Sequence, residues 1–487
     1  MQGLKLALLM SLAAAVQACG DGGGSSGDPD TISVDGGTNQ ERILVVDQGP
    51  PSLLHIDIGQ SGGSHGDVLV FDADVTSTEG LSGKLSGRLI TVEIPELDQV
   101  IHDRIAEKVF DFGGAGTLVV GGKSVYPFDG SGAEEMAFNT PQIRPVIGGT
   151  GDFLGALGQV ATTRNDDLSY QHTFRLVGIT QWAEPSSASA GQRTITLNQA
   201  APNVVDVDFG SEGRSRGDLL AVDAQFTSTE GLTGKLSGII TTVDLPEPGA
   251  AVFQDRFFKG VFDFGEANTL VVLGKSVYPS DASGTDELGV DVPSIKPVVG
   301  GTGEFIGARG QVVTTRREDG TYTQEFQLVG ISTSETIAAQ HSTLILDQAL
   351  PYLVHVDVGL EGGSHGDILA FDAEVTSTEG LLGKLSGIIT TVDIPSPGDA
   401  LFEDRIVHMV FDLGNANTLV VAGKSVYPSD RGPGSEFAKN IPQTRAIIGG
   451  TGEYMAAQGQ VATTRNADGS YTHEFKFAPR GRWESND

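Results

Sequence analysis

One pattern occurs three times in this chain of 487 residues, and that repetition constrains the fold more than any other feature. Pro-Val-Ile-Gly-Gly-Thr-Gly-Asp-Phe from Pro145 to Phe153 returns from Pro297 to Phe305 and, as Ala-Ile-Ile-Gly-Gly-Thr-Gly-Glu-Tyr, from Ala446 to Tyr454. Gly66-Asp67, Gly217-Asp218 and Gly366-Asp367 each open a similar run. Gly-Lys-Leu-Ser-Gly recurs at Gly83, Gly234 and Gly383, and Gly-Lys-Ser-Val-Tyr-Pro at Gly122, Gly274 and Gly423. A period of about 150 residues is too long for a solenoid unit and fits a whole domain, so the chain reads as one domain in triplicate. Its length supports the same number of domains.

Within each repeat the hydrophobic period is two. Leu69, Phe71, Ala73 and Val75 share one face of a strand, while Val68 and Val70 share the other with Asp72 and Asp74. The second face begins apolar and ends acidic, which predicts that part of the outer surface is covered by another domain. The same split recurs at Leu220, Val222, Ala224 and Phe226 and at Leu369, Phe371, Ala373 and Val375. Val109 to Phe112 and Thr117 to Val120, joined across Gly113, Gly114 and Gly116, read as a hairpin. Gln159 to Arg164 and Tyr170 to Val177 read as the closing pair. Sixty-seven glycines with 39% hydrophobic residues suit many short strands and tight turns. Seven or eight antiparallel strands per repeat, with no helix to cover a sheet, favour a closed barrel that removes its own edges.

The Gly-Gly-Thr-Gly stretch reads as a tight corner between strands. A phosphate-binding loop needs a helix behind it, and Gly158-Gln159-Val160 begins a strand-like run instead. A net charge of −32 and a pI near 4.5 would repel nucleic acid and anionic lipid surfaces, so neither is an expected partner.

The first 18 residues read as a signal peptide: Lys5, an apolar run from Leu6 to Val16 too short to span a bilayer, then Cys19, the only cysteine. That placement resembles a bacterial lipobox, with Gln17 departing from the usual small residue. It predicts an exported chain lipidated on Cys19, the anchor being its one membrane contact; secretion after cleavage at the same bond is the alternative. Residues 19–41 read as a flexible tether, and 42–180, 193–332 and 343–477 as the three domains.

The ordered set Gly66-Asp-Val-Leu-Val-Phe71, Asp103-Arg104, Phe110-Asp-Phe-Gly113, Gly116-Thr-Leu-Val-Val-Gly-Gly122, Val146 to Gly155 and Gly158-Gln-Val160 resembles the allene oxide cyclase and dirigent superfamily over nearly the whole of each repeat. The resemblance implies three tandem eight-stranded antiparallel β-barrels. Because those relatives assemble as trimers, it also implies packing of the three into an intrachain pseudo-trimer, with the half-apolar faces around Val68, Leu219 and Ile368 at the contacts. It implies no cofactor, and an apolar lumen that holds a small hydrophobic molecule for ring closure or stereoselective coupling, in effect a cofactor-free isomerase. The functional positions differ, however. Asp47, Asn198 and Asp347 stand where the cyclases have an early pocket residue, and Ala73, Ala224 and Ala373 where they have an asparagine. The acid after Gly-Gly-Thr-Gly, shared with dirigent proteins, is kept as Asp152, Glu304 and Glu453, while the arginine that follows survives only as Arg309. Fold thus transfers further than reaction, and a non-catalytic ligand-binding or structural surface role is the alternative.

The catalytic candidates are Arg104, Arg256 and Arg405, placed to stabilise an enolate or carboxylate or to form rim ion pairs, together with Asp152, Glu304 and Glu453. Ligand contacts are expected from Phe71, Phe110, Phe112, His172 and Phe174, and from Phe371, Phe411, His473 and Phe475. His172 and His473 suit either a pocket or a hydrogen-bonded structural role, and Gln324 replaces them in the second repeat. Lys123, Lys275 and Lys424 are expected on the surface, with Asp111, Asp263 and Asp412 pointing outward. No metal site is expected. The histidines lack a ligating spacing, and the loops at Asp129, Asp281 and Asp430 lack a full calcium ligand series. Gly62 to Gly66 matches Gly-x-Ser-x-Gly without the helix that a nucleophile elbow requires.

Overall fold

The structure, a computed structural model, describes residues 41–179, 192–329 and 343–478 apart from 59–63, 94–100, 128–134, 209–214, 245–252, 280–286, 359–363, 379, 394–401 and 429–435. The segment read as a signal peptide, Cys19, nearly all of the expected tether and linkers, and the loops at Asp129, Asp281 and Asp430 lie outside the described residues.

The first repeat contains β1 (Arg42–Gln48), β2 (Ser52–Ile56), β3 (Val68–Ser77), β4 (Ser82–Glu93), β5 (Ile101–Asp111), β6 (Thr117–Pro127), β7 (Gln142–Gly149), β8 (Leu157–Arg164) and β9 (Tyr170–Val177). Strands β2 to β9 pair antiparallel in chain order, and β9 returns to β1. β2 runs along the first half of β3, with Ile56 opposite Val68, and β1 along the second half, with Gln48 opposite Val75. These two short strands occupy one position, so the sheet closes into an eight-stranded barrel without a free edge. β10–β18, from Arg193 to Val329, and β19–β27, from Thr343 to Phe477, repeat the same order. Among the described residues there is no α-helix.

The alternation read in β3 has two destinations. Leu69, Phe71 and Val75 join Phe110 and Phe174 inside the first barrel. Val68 and Val70 point the other way, into an apolar core shared with Leu219 and Val261 of the second barrel and Ile368 and Val410 of the third. Contacts between barrels run in a ring: β3 meets β13 (Thr233–Asp244), β12 (Leu219–Ser228) meets β22 (Leu382–Asp393), and β21 (Ile368–Ser377) meets β4. The same pair of strand positions is used each time, which is the signature of a closed cyclic arrangement.

The repeated glycine stretch serves both the corner and this ring. Opposite β6 the register shifts between Val119 and Val120, so Ile147 is an extra residue on β7 and turns outward into the shared core. Val299 and Ile448 do the same. A Cβ on Gly148 would lie 3.0 Å from Val299, one on Gly300 2.9 Å from Ile448, and one on Gly449 2.9 Å from Ile147. These glycines let each barrel accept the bulged residue of the next. The corner itself is a short 3-10 turn, Gly151–Phe153, entered at Gly151 with φ of +59°.

Ion pairs line the three seams. Lys123 bonds Asp412 at 3.0 Å, Lys275 bonds Asp111 at 2.8 Å and Lys424 bonds Asp263 at 2.8 Å. The aspartates do point outward, as their parity predicts, but outward means toward the neighbouring barrel. The lysines are therefore not surface residues: their side chains are only 8–11% exposed, and each also pairs with an aspartate of its own barrel.

At the centre of the ring the three repeats differ. Opposite equivalent positions of β4, β13 and β22 stand Glu107, Lys259 and His408. Lys259 Nζ lies 3.1 Å from Glu107 Oε1 and 3.0 Å from His408 Nδ1, which in turn lies 2.7 Å from Glu107 Oε1. Arg88 completes the cluster, donating from Nε to Glu107 Oε2 at 2.6 Å and from Nη1 to Thr241 Oγ1 at 2.6 Å. All four side chains are at most 3% exposed. Burial opposes ionisation of Glu107, but the adjacent Arg88 and Lys259 charges outweigh it and hold its pKa well below the usual carboxylate range. Burial lowers Lys259 to about 8 and His408 to about 4. The neutral ring suits a Nδ1–H donated to Glu107.

Candidate functional site in the barrel lumens

Each barrel keeps a small cavity at the same end of its lumen, of about 30 Å³ in the first, 70 Å³ in the second and 40 Å³ in the third. Proline and apolar side chains form most of the wall. Pro51, Leu53, Leu69 and Phe71 line the first cavity, and Pro351, Leu353, Leu369 and Phe371 occupy the same positions in the third. Polar groups converge from the other side.

A hydrogen-bonded chain crosses the lumen in each repeat. His172 Nε2 lies 2.8 Å from Gln48 Oε1, and its Nδ1 lies 3.0 Å from Thr162 Oγ1. His473 repeats this with Gln348 at 2.8 Å and Thr463 at 3.0 Å. In the second barrel Gln324 donates to Gln199 Oε1 at 2.8 Å and accepts from Thr314 Oγ1 at 2.7 Å. An amide there reproduces the donor and acceptor of a neutral imidazole, so the second repeat keeps the wiring although it lacks the histidine. Burial lowers both histidines, His473 to about 3, and the nearby cations add to the effect. Phe110 and Phe411 pack edge-on against these rings at 4.9 Å, with Phe174 and Phe475 behind them.

Nearer the mouth, Tyr170 donates to Glu135 at 2.9 Å and Arg164 pairs with the same carboxylate. Tyr471, Glu436 and Arg465 repeat the arrangement. Burial and the adjacent carboxylate raise both tyrosines well above the usual phenol range.

A basic residue faces inward at one further position of every barrel. Arg144 donates from Nε to Ser124 at 2.6 Å and from Nη2 to Gln142 at 3.0 Å, and is fully buried. Arg445 bonds Ser425 at 2.7 Å and is 2% exposed. Among the described residues, Nη1 of both arginines has no hydrogen-bond partner. Lys296 holds the second position, 3.0 Å from Ser294 and 5.5 Å from the Phe258 ring, and burial lowers its pKa to about 7. The first barrel adds Lys108, 6% exposed and 5.3 Å from the Phe71 ring; Gly260 and Met409 stand at its position in the other two.

Of the expected ligand contacts, Phe71, Phe371 and His473 line cavities. Phe110, Phe174, His172, Phe411 and Phe475 are packed just behind them, and Phe112 lies against Phe153 at the glycine corner. Arg104, Arg256 and Arg405 are buried over Tyr126, Tyr278 and Tyr427 at 4.9, 5.0 and 4.5 Å, beside the cavity walls and not in them. Arg405 also pairs with Glu403 at 2.7 Å. Asp152, Glu304 and Glu453 are exposed on the 3-10 turns, outside the cavities. The sequence reading missed Arg144, Lys296, Arg445 and Lys108. Parity carried the signal: Arg144 shares a face with the buried Val146, and Lys108 with Phe110. Among the described residues no group of three His, Cys, Asp or Glu side chains is placed to share a metal ion.

No family model and no curated protein matches the chain. Among solved structures it is similar to pyocyanin demethylase, with 20% identity over 28% of this chain and 99% of that one and a TM-score of 0.22. The sheet topology is that of three tandem closed β-barrels.

Proposed function

We propose that this chain is a small-molecule-binding protein whose lumens each take the apolar body of a ligand at the wired end of the barrel. The observation that carries this reading is threefold repetition: the same apolar-walled cavity, with an inward basic group, occurs in every repeat. Folding alone does not call for a buried cation at that place, because an uncompensated charge in a barrel interior costs stability. The small volumes restrict the ligand. Pockets for drug-sized molecules measure roughly 300–1,000 Å³; these admit a compact molecule or the inserted end of a longer one.

Binding without turnover fits the geometry better than catalysis. Both histidines have their two ring nitrogens engaged, and Arg104, Arg256 and Arg405 are stacked on tyrosines outside the cavity. A cofactor-free cyclisation or stereoselective coupling would draw on confinement alone. Export with lipidation on Cys19, or secretion, belongs to the same reading, and Cys19→Ala separates the two by releasing only an anchored form.

Native mass spectrometry of the full chain against small phenols, carboxylates and unsaturated oxylipins tests the proposal. Retention of up to three molecules per chain is expected. The size of the cavities favours a second reading, in which the barrels are filled and serve as rigid surface modules. Absence of retention across the panel, with cooperative unfolding intact, would establish that one.

A further inference from the structure

The three lumens do not carry equal charge. In the first barrel Lys108 and Arg144 are both buried; burial, and after it the Arg144 charge, holds the Lys108 ammonium well below its usual range, and among the described residues neither side chain has a carboxylate bonded to it. Among the described residues the carboxylate that lines this cavity is Glu135, and it is already engaged by Arg164 and Tyr170. Barrels 2 and 3 carry Lys296 and Arg445 at the Arg144 position but Gly260 and Met409 at the Lys108 position. A buried amine beside no anion, with a guanidinium charge acting on it, is costly to keep protonated, and an anion arriving from outside offsets that cost. A carboxylate is the group that suits it. Its oxygens can accept from the Lys108 ammonium, which lines the cavity, while the attached carbon body meets Pro51, Leu53 and Phe71 and Arg144 adds its charge from behind the wall.

The geometry points to the first barrel as a carboxylate site: its lumen takes a small organic acid, head group on Lys108 and carbon body against Pro51, Leu53 and Phe71. This rests on the lumen-binding reading above and sharpens it to one barrel and one head group. The arrangement also implies that the ligand-free barrel is strained by its own charges, so that filling the site adds stability.

The test compares hexanoate and benzoate with their neutral amides, hexanamide and benzamide, on the full chain by native mass spectrometry and thermal unfolding. Lys108→Met, the residue that the third barrel carries, is the diagnostic variant because it leaves Arg144 and the fold in place. The expected result is stoichiometric uptake of one acid per chain in preference to its amide, a saturable rise in Tm, and a loss of roughly tenfold or more in acid affinity in Lys108→Met. Without ligand that variant should melt higher than the parent. Equal uptake of acid and amide, unaltered by Lys108→Met, would overturn the carboxylate assignment and leave lumen binding standing. Uptake of neither would remove both.

Discussion

Buried cations occur in two regions of this protein, and the regions treat them differently. At the centre of the ring, Arg88 and Lys259, from two barrels, both pair with Glu107, and His408 contributes a hydrogen bond. In the first lumen, Lys108 and Arg144 sit at similar depth with no such anion bonded to them among the described residues. Both cations of the centre have a carboxylate bonded to them, whereas among the described residues Lys108 and Arg144 have none. That contrast is the reason to read the centre as a device of assembly and the lumen as a site.

The largest effect should come from making the centre resemble the lumen. Glu107→Leu strands Arg88 and Lys259 and should cost about 3–5 kcal/mol, measured by denaturant unfolding. Replacing the whole cluster, Arg88→Ile with Glu107→Leu, Lys259→Leu and His408→Leu, should recover most of that loss, because paired burial contributes little net stability. If the single change is harmless, the centre is not holding its charges through Glu107.

Acid should separate the regions next. His408 and His473 titrate near 4 and 3 when folded and near 6.5 when unfolded. The unfolded chain therefore binds protons first, and stability present above pH 6.5 is lost as pH falls toward 4. The loss is on the order of 3 kcal/mol per ring. Changing His473→Gln, the residue type used in barrel 2, should remove one share of that dependence while leaving neutral-pH stability within ~1 kcal/mol. An unchanged acid transition would show that the rings do not set it.

In the lumen the sign reverses. Lys108→Met removes a charge that lacks a carboxylate and should raise ligand-free stability by about 1–3 kcal/mol, read as a higher denaturant midpoint. A fall would mean that Lys108 is satisfied in the folded chain. The smallest effect concerns the second barrel, where Lys296 titrates near 7. Any acid held there should bind several-fold more weakly as pH rises from 6 to 8, while the third barrel, with Arg445, should not respond. Isothermal titration across that range distinguishes them.

Much of the architecture was legible before any coordinates. The period of two placed Leu69, Phe71 and Val75 inside and Val68 and Val70 outside, and the outward apolar residues do meet neighbouring barrels. The lysines after Gly122, Gly274 and Gly423 were misplaced on the surface because nothing local shows that each aspartate facing them belongs to a different repeat. The candidate site was legible only in part. Phe71, Phe371 and His473 reached the cavities, whereas Arg144 and Lys108 passed as ordinary charged residues in strands that otherwise alternate.

Local chemistry determined the strands, the turns and the closure of each barrel, since alternation and glycine placement act over a few residues. The tertiary structure alone decided which charges are neutralised. Glu107, Lys259 and His408 each read as a lone polar residue in an apolar strand, and only the cyclic packing brings them within hydrogen-bond distance. Lys108, the next residue in the chain after Glu107, points to the opposite face of the same strand and so meets the lumen and not the centre. Electrostatic balance depends on distances between segments that the chain order does not encode, whereas the hydrophobic pattern depends on neighbours that it does.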